Sequence, residues 1–282
     1  MSERYVRVRI KLDVSLDPTL GCGQAHRWRK IEGKWNGVIG KNVVTLTQKE
    51  YGFDCEGCSD PNAILEYFRN DDDLNEIISE ISRMDPYVAK LSDSCPGMRI
   101  LKQDKWECLA TYVLATNVNV KRIAKMTESV CDSFGRDLGA RRAFPTPKEI
   151  LDGQERICDC KLGFREKRFI KLAERTENGE IDLDTLSKLN YEECTAELIT
   201  IDGVGPKVAD CVALFGFGHL EAFPIDARIS KCLEDIYGKT GNYKELSRFG
   251  RDLFGRYAGY AQEFLYHSAS IIDMSVKRRD SS

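Results

Sequence analysis

Residues 199–226, ITIDGVGPKVADCVALFGFGHLEAFPID, constrain the fold more than any other part of the chain. The glycine spacing first suggests a nucleotide-binding loop. A Walker loop requires Gly-Lys-Ser/Thr, but Lys207 lies between Pro206 and Val208. A dinucleotide-binding turn requires a third glycine at the position of Val208 and a preceding strand, whereas helical patterns flank this turn. Both nucleotide-binding folds are therefore excluded.

The pattern that remains is two helices joined by a tight Gly-Val-Gly turn. The first helix reads YEECTAELIT, and the second begins near Pro206, because proline suits the first helical position. Backbone N–H groups at such a helix start can bind a DNA phosphate. We therefore predict a helix-hairpin-helix over about residues 191–216, with Gly203 and Gly205 turning the chain against DNA.

Lys207 and Asp226 are candidate catalytic residues. Lys207 falls in the first turn of the second helix, where the helix dipole disfavours a protonated amine. Only the unprotonated amine can act as a nucleophile, so this position favours a catalytic lysine. Asp226 follows 19 residues later, at the predicted start of another helix. Each residue alone is more often a surface lysine or a helix cap. Their occurrence together around a hairpin favours a nucleophile with a carboxylate partner.

The predicted secondary structure changes from strands to helices near Pro61. Before it, Val8 and Ile10 alternate with arginines as in a half-buried strand, and turn residues separate short β-rich pieces up to about Cys58. After it, helices follow one another to the end of the chain, and RAFPTPKE joins two halves of the helical part. We predict an α+β fold, with an N-terminal antiparallel sheet and following helices over 1–95 and a two-part all-α core over 96–282.

The charge distribution is uneven, although the net charge is only −3. Residues 54–93 hold 11 acidic and 3 basic side chains, whereas residues 99–175 hold 17 basic and 11 acidic ones. A basic middle segment suits a nucleic-acid-binding surface, and solvated helix faces are the alternative. The sequence has no apolar run of 18 residues and no apolar signal core, so we expect an intracellular protein without a membrane partner.

Eleven cysteines are interpreted mainly as small buried apolar residues of a reducing compartment. Cys55 and Cys58 form one CxxC pair without a second pair of ligands, which argues against a structural zinc site. No cysteine follows Cys232, so a C-terminal four-cysteine iron–sulfur cluster is excluded. We expect no resident cofactor.

The combined stretch GVGPKVADCVALF…FPIDARI resembles the helix-hairpin-helix/Gly-Pro-Asp superfamily of DNA glycosylases, and more narrowly the 8-oxoguanine DNA glycosylase/AP lyase family. Five further segments resemble this family in the same order, namely CGQAHRWR, WNGVIGKNVVTLTQ, QDKWECLATYVLATNVNVKRI, LGFREKRFI and RYAGYAQEFLYHSA. The resemblance covers roughly residues 5–272. It implies a monomer that acts in base excision repair on double-stranded DNA containing oxidised guanine, in the nucleoid of a prokaryote or the nucleus of a eukaryote.

The resemblance also implies roles for individual residues. Lys207 would attack C1′ of the damaged nucleotide, expel the base through a Schiff base and cut the strand by β-elimination. Asp226 would stabilise the cationic sugar and help Lys207 to lose its proton. In the base pocket, the Gly23 carbonyl would accept a hydrogen bond from N7–H of 8-oxoguanine. The remaining pocket residues are Gln262 at the Watson–Crick edge and, on the two faces of the base, Tyr266 and Cys211.

Further residues match the DNA-binding positions of this family. Phe164 would be the wedge in the duplex, and cytosine opposite the lesion would be read by Asn117, Arg122 and Arg165. The resemblance also implies a monovalent cation, Na⁺ or K⁺, held by the backbone carbonyls of Ile199, Ile201 and Val204.

Three positions depart from the family pattern. Arg228 replaces a histidine of the eukaryotic members, and Ala269 replaces the acid that partners this histidine. We therefore interpret Arg228 as a phosphate contact that needs no protein partner. Val118 replaces the middle of three asparagines in the segment that fills the duplex, which predicts a looser choice of opposite base.

Three alternatives stay open on the sequence. A pyrimidine-damage lyase of the endonuclease III type shares the lysine and the aspartate but normally carries an iron–sulfur cluster. An alkylpurine glycosylase keeps only the aspartate. A non-enzymatic DNA-binding module could use the same hairpin.

Overall fold

The computed structural model describes residues 7–116 and 118–279, with residues 270–279 described by their backbone alone. The N-terminal part is one five-stranded antiparallel sheet with the strand order β1-β5-β4-β3-β2. The strands are β1 (Arg7–Lys11), β2 (Arg29–Ile31), β3 (Lys34–Ile39), β4 (Asn42–Lys49) and β5 (Gly52–Glu56).

Helices make up most of the remaining chain, which confirms the predicted α+β fold. They are α1 (Leu16–Gly21), α2 (Pro61–Tyr67), α3 (Leu74–Met84), α4 (Pro86–Ser94), α5 (Lys105–Leu114), α6 (Val120–Phe134), α7 (Pro147–Leu151), α8 (Glu166–Glu177), α9 (Leu183–Leu186), α10 (Tyr191–Ile199), α11 (Pro206–Val212), α12 (Ala227–Tyr237), α13 (Tyr243–Phe254) and α14 (Ala258–Arg279).

The sheet buries one face against its own small core. Ile10 of β1 lies opposite Phe53 of β5, and both side chains are buried, as the alternating sequence predicts. Ile64 and Phe68 from α2 and the following residue complete this core. The sheet is therefore stabilised by its packing against helices rather than by its strands alone.

A second, larger core lies among the helices. Helix α5 is buried along most of its length, as its continuous apolar sequence predicts. Ile77 and Ile81 of α3 and Val88 of α4 also belong to this core and not to the core of the sheet. Two helices that precede residue 95 thus pack with the helical part, while the boundary at residue 95 stays a prediction.

Helix α1 lies where the sequence predicts only turn residues. Its Leu16 and Leu20 side chains are buried in the core of the sheet, and this tertiary packing overrides the local turn preference. Nine of the eleven cysteines are buried, and all eleven are free thiols, which confirms their interpretation as small apolar residues. None of the helices within the described ranges has the length and hydropathy needed to cross a bilayer.

Candidate active site

The predicted hairpin is present between α10 and α11. Gly203 has a φ of +87°, a left-handed conformation that favours glycine. The N–H of Val204 donates to the carbonyl of Ile201 over 3.0 Å and closes the turn. Pro206 is the first residue of α11, with Gly205 as its N-cap. The turn and the start of α11 are therefore as the sequence predicts, while the second helix changes from α to π geometry over Ala213–Phe217.

A buried carboxylate anchors the second helix of the hairpin. Asp210 accepts hydrogen bonds from Tyr191 over 2.6 Å, from Tyr243 over 2.5 Å and from Ser247 over 3.1 Å. Burial raises the pKa of Asp210, and the three hydroxyl donors oppose that rise because they bind the ionised form. Helix α11, which carries Lys207, is thus tied to α10 and α13.

Lys207 and Asp226 line the same cavity of about 290 Å³, although they come from different helices. Asp226 is the N-cap of α12, and its Oδ1 accepts from the backbone N–H groups of Arg228 and Ile229 over 3.0 and 2.9 Å. These bonds hold the carboxylate at the positive end of α12, where the helix dipole stabilises a negative charge. The structure thus brings the two predicted catalytic residues together.

The four predicted base-pocket residues line this cavity as well, namely Gly23, Cys211, Gln262 and Tyr266. Gly23 has a φ of +98°, and a Cβ atom there would lie 3.6 Å from Val120. Glycine is therefore required by the backbone conformation more than by a lack of space. Burial raises the pKa of the Cys211 thiol to about 12, so this thiol stays protonated and acts as an apolar surface.

Arg228 contacts Tyr266, and both residues line the cavity. Its Nη1 donates to the Tyr266 hydroxyl over 3.0 Å, and its guanidinium carbon lies 5.3 Å from the centre of the ring. Burial raises the pKa of Tyr266 to about 12, and the nearby Arg228 opposes that rise. Arg228 therefore has a protein partner, because Tyr266 of α14 offers it both a hydroxyl and a ring face, while its contact with a phosphate stays a prediction.

The predicted DNA-contacting residues lie on two neighbouring segments. Phe164 is 60% exposed, and the Arg165 guanidinium carbon lies 4.2 Å from the centre of its ring. Arg165 itself is buried and donates to the carbonyls of Thr116 and Leu162. Its guanidinium thus supports the chain just before Asn117, a predicted residue that lies outside the described part of the chain.

Arg122 is exposed near the start of α6, and its Nη2 donates to the Lys161 carbonyl over 2.8 Å. This bond connects α6 to the segment that carries the exposed Phe164 ring. The two predicted DNA-binding segments are thus held against each other in the free protein.

The residues predicted to hold a cation lie at the end of α10 and in the turn after it. Ile199 is the last residue of α10, where carbonyl groups lack helical partners, and Val204 is buried in the turn. Within the described residues, no group of three or more His, Cys, Asp or Glu side chains comes together as a metal site.

Three buried polar residues that line the cavity, Gln24, His26 and Glu263, were not predicted as site residues. His26 lines the cavity wall, and burial followed by the charge of Lys207 lowers its pKa to about 4. Glu263 also lines the cavity, and burial raises its pKa to about 7. His26 and Glu263 lie within segments that resemble the family, but a segment match does not reveal which side chains point inward.

Comparison with known proteins agrees with this geometry. The model of the 8-oxoguanine DNA glycosylase N-terminal domain matches residues 7–109. The chain is 32% identical to the N-glycosylase/DNA lyase OGG1 of Arabidopsis thaliana, in an alignment that covers 90% of this chain and 77% of the relative. It is 30% identical to the N-glycosylase/DNA lyase of Saccharomyces cerevisiae, with 87% and 74% covered.

A solved structure is similar over nearly the whole chain. This is the 8-oxoguanine glycosylase/lyase of Clostridium acetobutylicum in complex with double-stranded DNA containing cytosine opposite 8-oxoguanine, with a TM-score of 0.90. The two proteins are 31% identical, and the match covers 96% of this chain and 97% of the other. With this identity, coverage and fold, the chain belongs to the N-glycosylase/DNA lyase family of 8-oxoguanine DNA glycosylases.

Proposed function

We propose that this protein excises 8-oxoguanine opposite cytosine from duplex DNA and cuts the strand through a Schiff base on Lys207. The observation that carries the proposal is that Lys207 and Asp226 line one cavity together with Gly23 and Gln262. An amine, a carboxylate and groups that can bind a purine edge are thus within reach of a single flipped nucleotide.

The reaction follows from the chemistry of these groups. The unprotonated Nζ of Lys207 attacks C1′, the bond from C1′ to N9 breaks, and the base leaves with the bonding electrons and takes up a proton. The resulting aminal opens to an iminium ion, which acidifies the C2′ protons. Loss of one of them expels the 3′ phosphate by β-elimination. The negative charge of Asp226 stabilises the positive charge that develops on the sugar in the first step.

The cavity supplies the recognition of the base. The Gly23 carbonyl accepts from N7–H, a donor that 8-oxoguanine has and guanine lacks. Gln262 binds the Watson–Crick edge, and the base stacks between the Cys211 thiol and the Tyr266 ring. A neutral thiol and an aromatic face suit this position because both pack against a flat base at little desolvation cost.

Recognition of the duplex uses the surface around Phe164. This exposed ring enters the base stack, while Arg122 and Asn117 contact the orphaned cytosine. A contact from Arg165 to cytosine requires at least one of its bonds to the Thr116 carbonyl to open. Gly203, Gly205 and Arg228 contact phosphates.

The protein acts as a monomer without a resident cofactor, and its hairpin completes the contact with DNA. Lys207 supplies the nucleophile, so no metal is required for the chemistry. The carbonyls of Ile199, Ile201 and Val204 would hold a monovalent cation, which would supply positive charge for a DNA phosphate. Carbonyl oxygens at a helix C-terminus suit such a cation because their partial charge is negative.

Borohydride trapping tests the lyase step. Duplexes that contain 8-oxoguanine opposite cytosine should give a covalent adduct with the wild-type protein, because borohydride reduces the Schiff base to a stable amine. The adduct should disappear in Lys207→Gln and persist in Lys231→Gln, which removes an exposed lysine of α12 paired with Asp235. Absence of the adduct in the wild-type protein would contradict the proposal.

A substrate panel tests the specificity. The panel contains 8-oxoguanine, an oxidised pyrimidine and an alkylated purine, each opposite all four bases. We expect the fastest excision for 8-oxoguanine opposite cytosine. Faster excision of the oxidised pyrimidine would favour an activity of the endonuclease III type, and duplex binding without cleavage of any substrate would favour a binding module.

A further inference from the structure

Two hydrogen-bond acceptors without a protein partner lie next to each other in sequence on the α14 wall of the cavity. Gln262 is 4% exposed and Glu263 is 5% exposed. Oε1 of Gln262 and Oε2 of Glu263 have no hydrogen-bond partner within the residues that the structure describes. Buried polar atoms are usually hydrogen-bonded, so a bound molecule is the natural partner of both.

The three other carboxylates that are buried within the described residues have partners that explain them. Asp210 accepts from three hydroxyl groups, Asp54 pairs with Arg7, and Asp85 accepts from the backbone N–H of Val88. The partly buried Glu107 lies 3.7 Å from Arg27. Within the described ranges, Glu263 forms no salt bridge, and the side chain that opposes the rise of its pKa is the Cys22 thiol, a weak donor. A salt bridge within the protein therefore does not account for a buried carboxyl at position 263.

Glu263 lies among the residues of the predicted base pocket. Its carboxyl acts electrostatically on Cys22 and Tyr112 and on both residues of the predicted base sandwich, Cys211 and Tyr266. Of these groups, Tyr112, Cys211 and Tyr266 line the cavity together with Gly23 and Glu263. The carboxyl is thus part of the pocket that encloses the flipped base.

An oxidised guanine offers the complementary donors. Its Watson–Crick edge carries N1–H and a 2-amino group, which together present more N–H donors than one carboxamide oxygen can satisfy. We propose that the Glu263 carboxyl is a second hydrogen-bond acceptor of the base pocket and binds the 2-amino group of the oxidised guanine beside Gln262. This inference rests on the function proposed above. It holds in either protonation state, since a neutral carboxyl keeps an acceptor oxygen.

A comparison of two bases tests this assignment. 8-Oxohypoxanthine differs from 8-oxoguanine only in the absence of the 2-amino group. The single-turnover excision rates of both bases are measured opposite cytosine. The wild-type protein should excise 8-oxoguanine about tenfold faster than the analogue, because the analogue leaves a buried acceptor unpaired. Glu263→Met removes the acceptor and fills the space, so the ratio of the two rates should fall toward one. Glu263→Gln keeps an acceptor oxygen and should preserve most of the ratio.

Glu107→Gln is the matched control, because burial also raises the pKa of Glu107 to about 7 and this residue does not line the active-site cavity. Its ratio should equal that of the wild-type protein. If Glu263→Met slows both bases by the same factor, Glu263 is a structural residue and the inference is overturned. If the wild-type protein does not excise 8-oxoguanine at all, the proposed function itself fails, which is a separate result.

Discussion

Tyr191 at the start of α10 donates a hydrogen bond to Asp210 of α11 over 2.6 Å, and this contact joins the two helices of the hairpin from inside the protein. Tyr243 and Ser247 of α13 bind the other carboxylate oxygen. Lys207 lies about one turn before Asp210 on α11. The position of the candidate nucleophile therefore depends on a buried carboxylate that lies outside the cavity.

Replacement of Asp210 should destabilise the protein and lower its activity. Asp210→Ala leaves three hydroxyl groups without their acceptor, and we expect a loss of about 2–4 kcal/mol in the free energy of unfolding. Urea denaturation measures this loss. Tyr243→Phe, which removes one donor, should lose less. An Asp210→Ala protein with wild-type stability would show that the hydroxyl cluster does not hold the hairpin.

Asp226→Asn should bind damaged duplex as the wild-type protein does but lose turnover by about 10²-fold or more, because the neutral side chain cannot stabilise a cationic sugar. Single-turnover kinetics and a binding titration separate the two effects. Asp73→Asn is the matched control, since Asp73 caps α3 through the N–H groups of Asn75 and Glu76 in the same way. If Asp226→Asn and the control had equal activity, Asp226 would be a helix cap without a catalytic role.

The two glycines of the hairpin should respond differently to alanine. Gly203 has a φ of +87°, and an added Cβ would lie 3.0 Å from Cδ of Arg168. Gly203→Ala should therefore cost about 1–2 kcal/mol of stability. At Gly205 the φ is −92° and no described atom lies within 4 Å of an added Cβ. Gly205→Ala should lose less stability in denaturation and still weaken duplex binding in a titration.

Arg122→Ala should reduce the preference for the base opposite the lesion. A side chain that reads the orphaned base is worth about 1–3 kcal/mol of discrimination, so its loss should bring the excision rates opposite the four bases closer by about tenfold. The measurement is single-turnover excision of 8-oxoguanine opposite each base. An unchanged preference for cytosine would assign the reading of that base to other residues.

The stability of the protein should fall with rising pH because of Glu263. Burial raises the pKa of this carboxyl in the folded protein from 4.5 to about 7. The folded state thus favours the protonated form, so this contribution is complete below pH 4.5 and is lost as the pH rises through about 7. The ionisable groups around Glu263 are Cys22, Tyr112, Cys211, Asp226 and Tyr266, with His26 and Lys207 on the same cavity.

Glu263→Gln removes this titration. The free energy of unfolding of the wild-type protein should therefore fall relative to Glu263→Gln by about 1–3 kcal/mol between pH 5 and pH 8. Urea denaturation of both proteins at several pH values measures the difference. Parallel pH profiles would mean that Glu263 is not buried as a carboxylic acid.

Local sequence determined the elements of this protein that depend on neighbours along the chain. The hairpin around Gly203, the start of α11 at Pro206 and the cap of α12 at Asp226 were all predictable, because turns and caps are interactions over a few residues. The alternation around Ile10 likewise predicted a strand with one buried face. The order of the motifs along the chain was sufficient to identify the family.

Tertiary structure alone decided which side chains face one another across the cavity. The partnership of Arg228 with Tyr266, the bonds of Arg165 to backbone carbonyls and the inward position of Glu263 join segments far apart in sequence. Each depends on how α14, α12 and the segment before α8 pack, and packing is set by the whole core. A sequence pattern records the periodicity of one element, whereas the distance between two elements is a property of the fold.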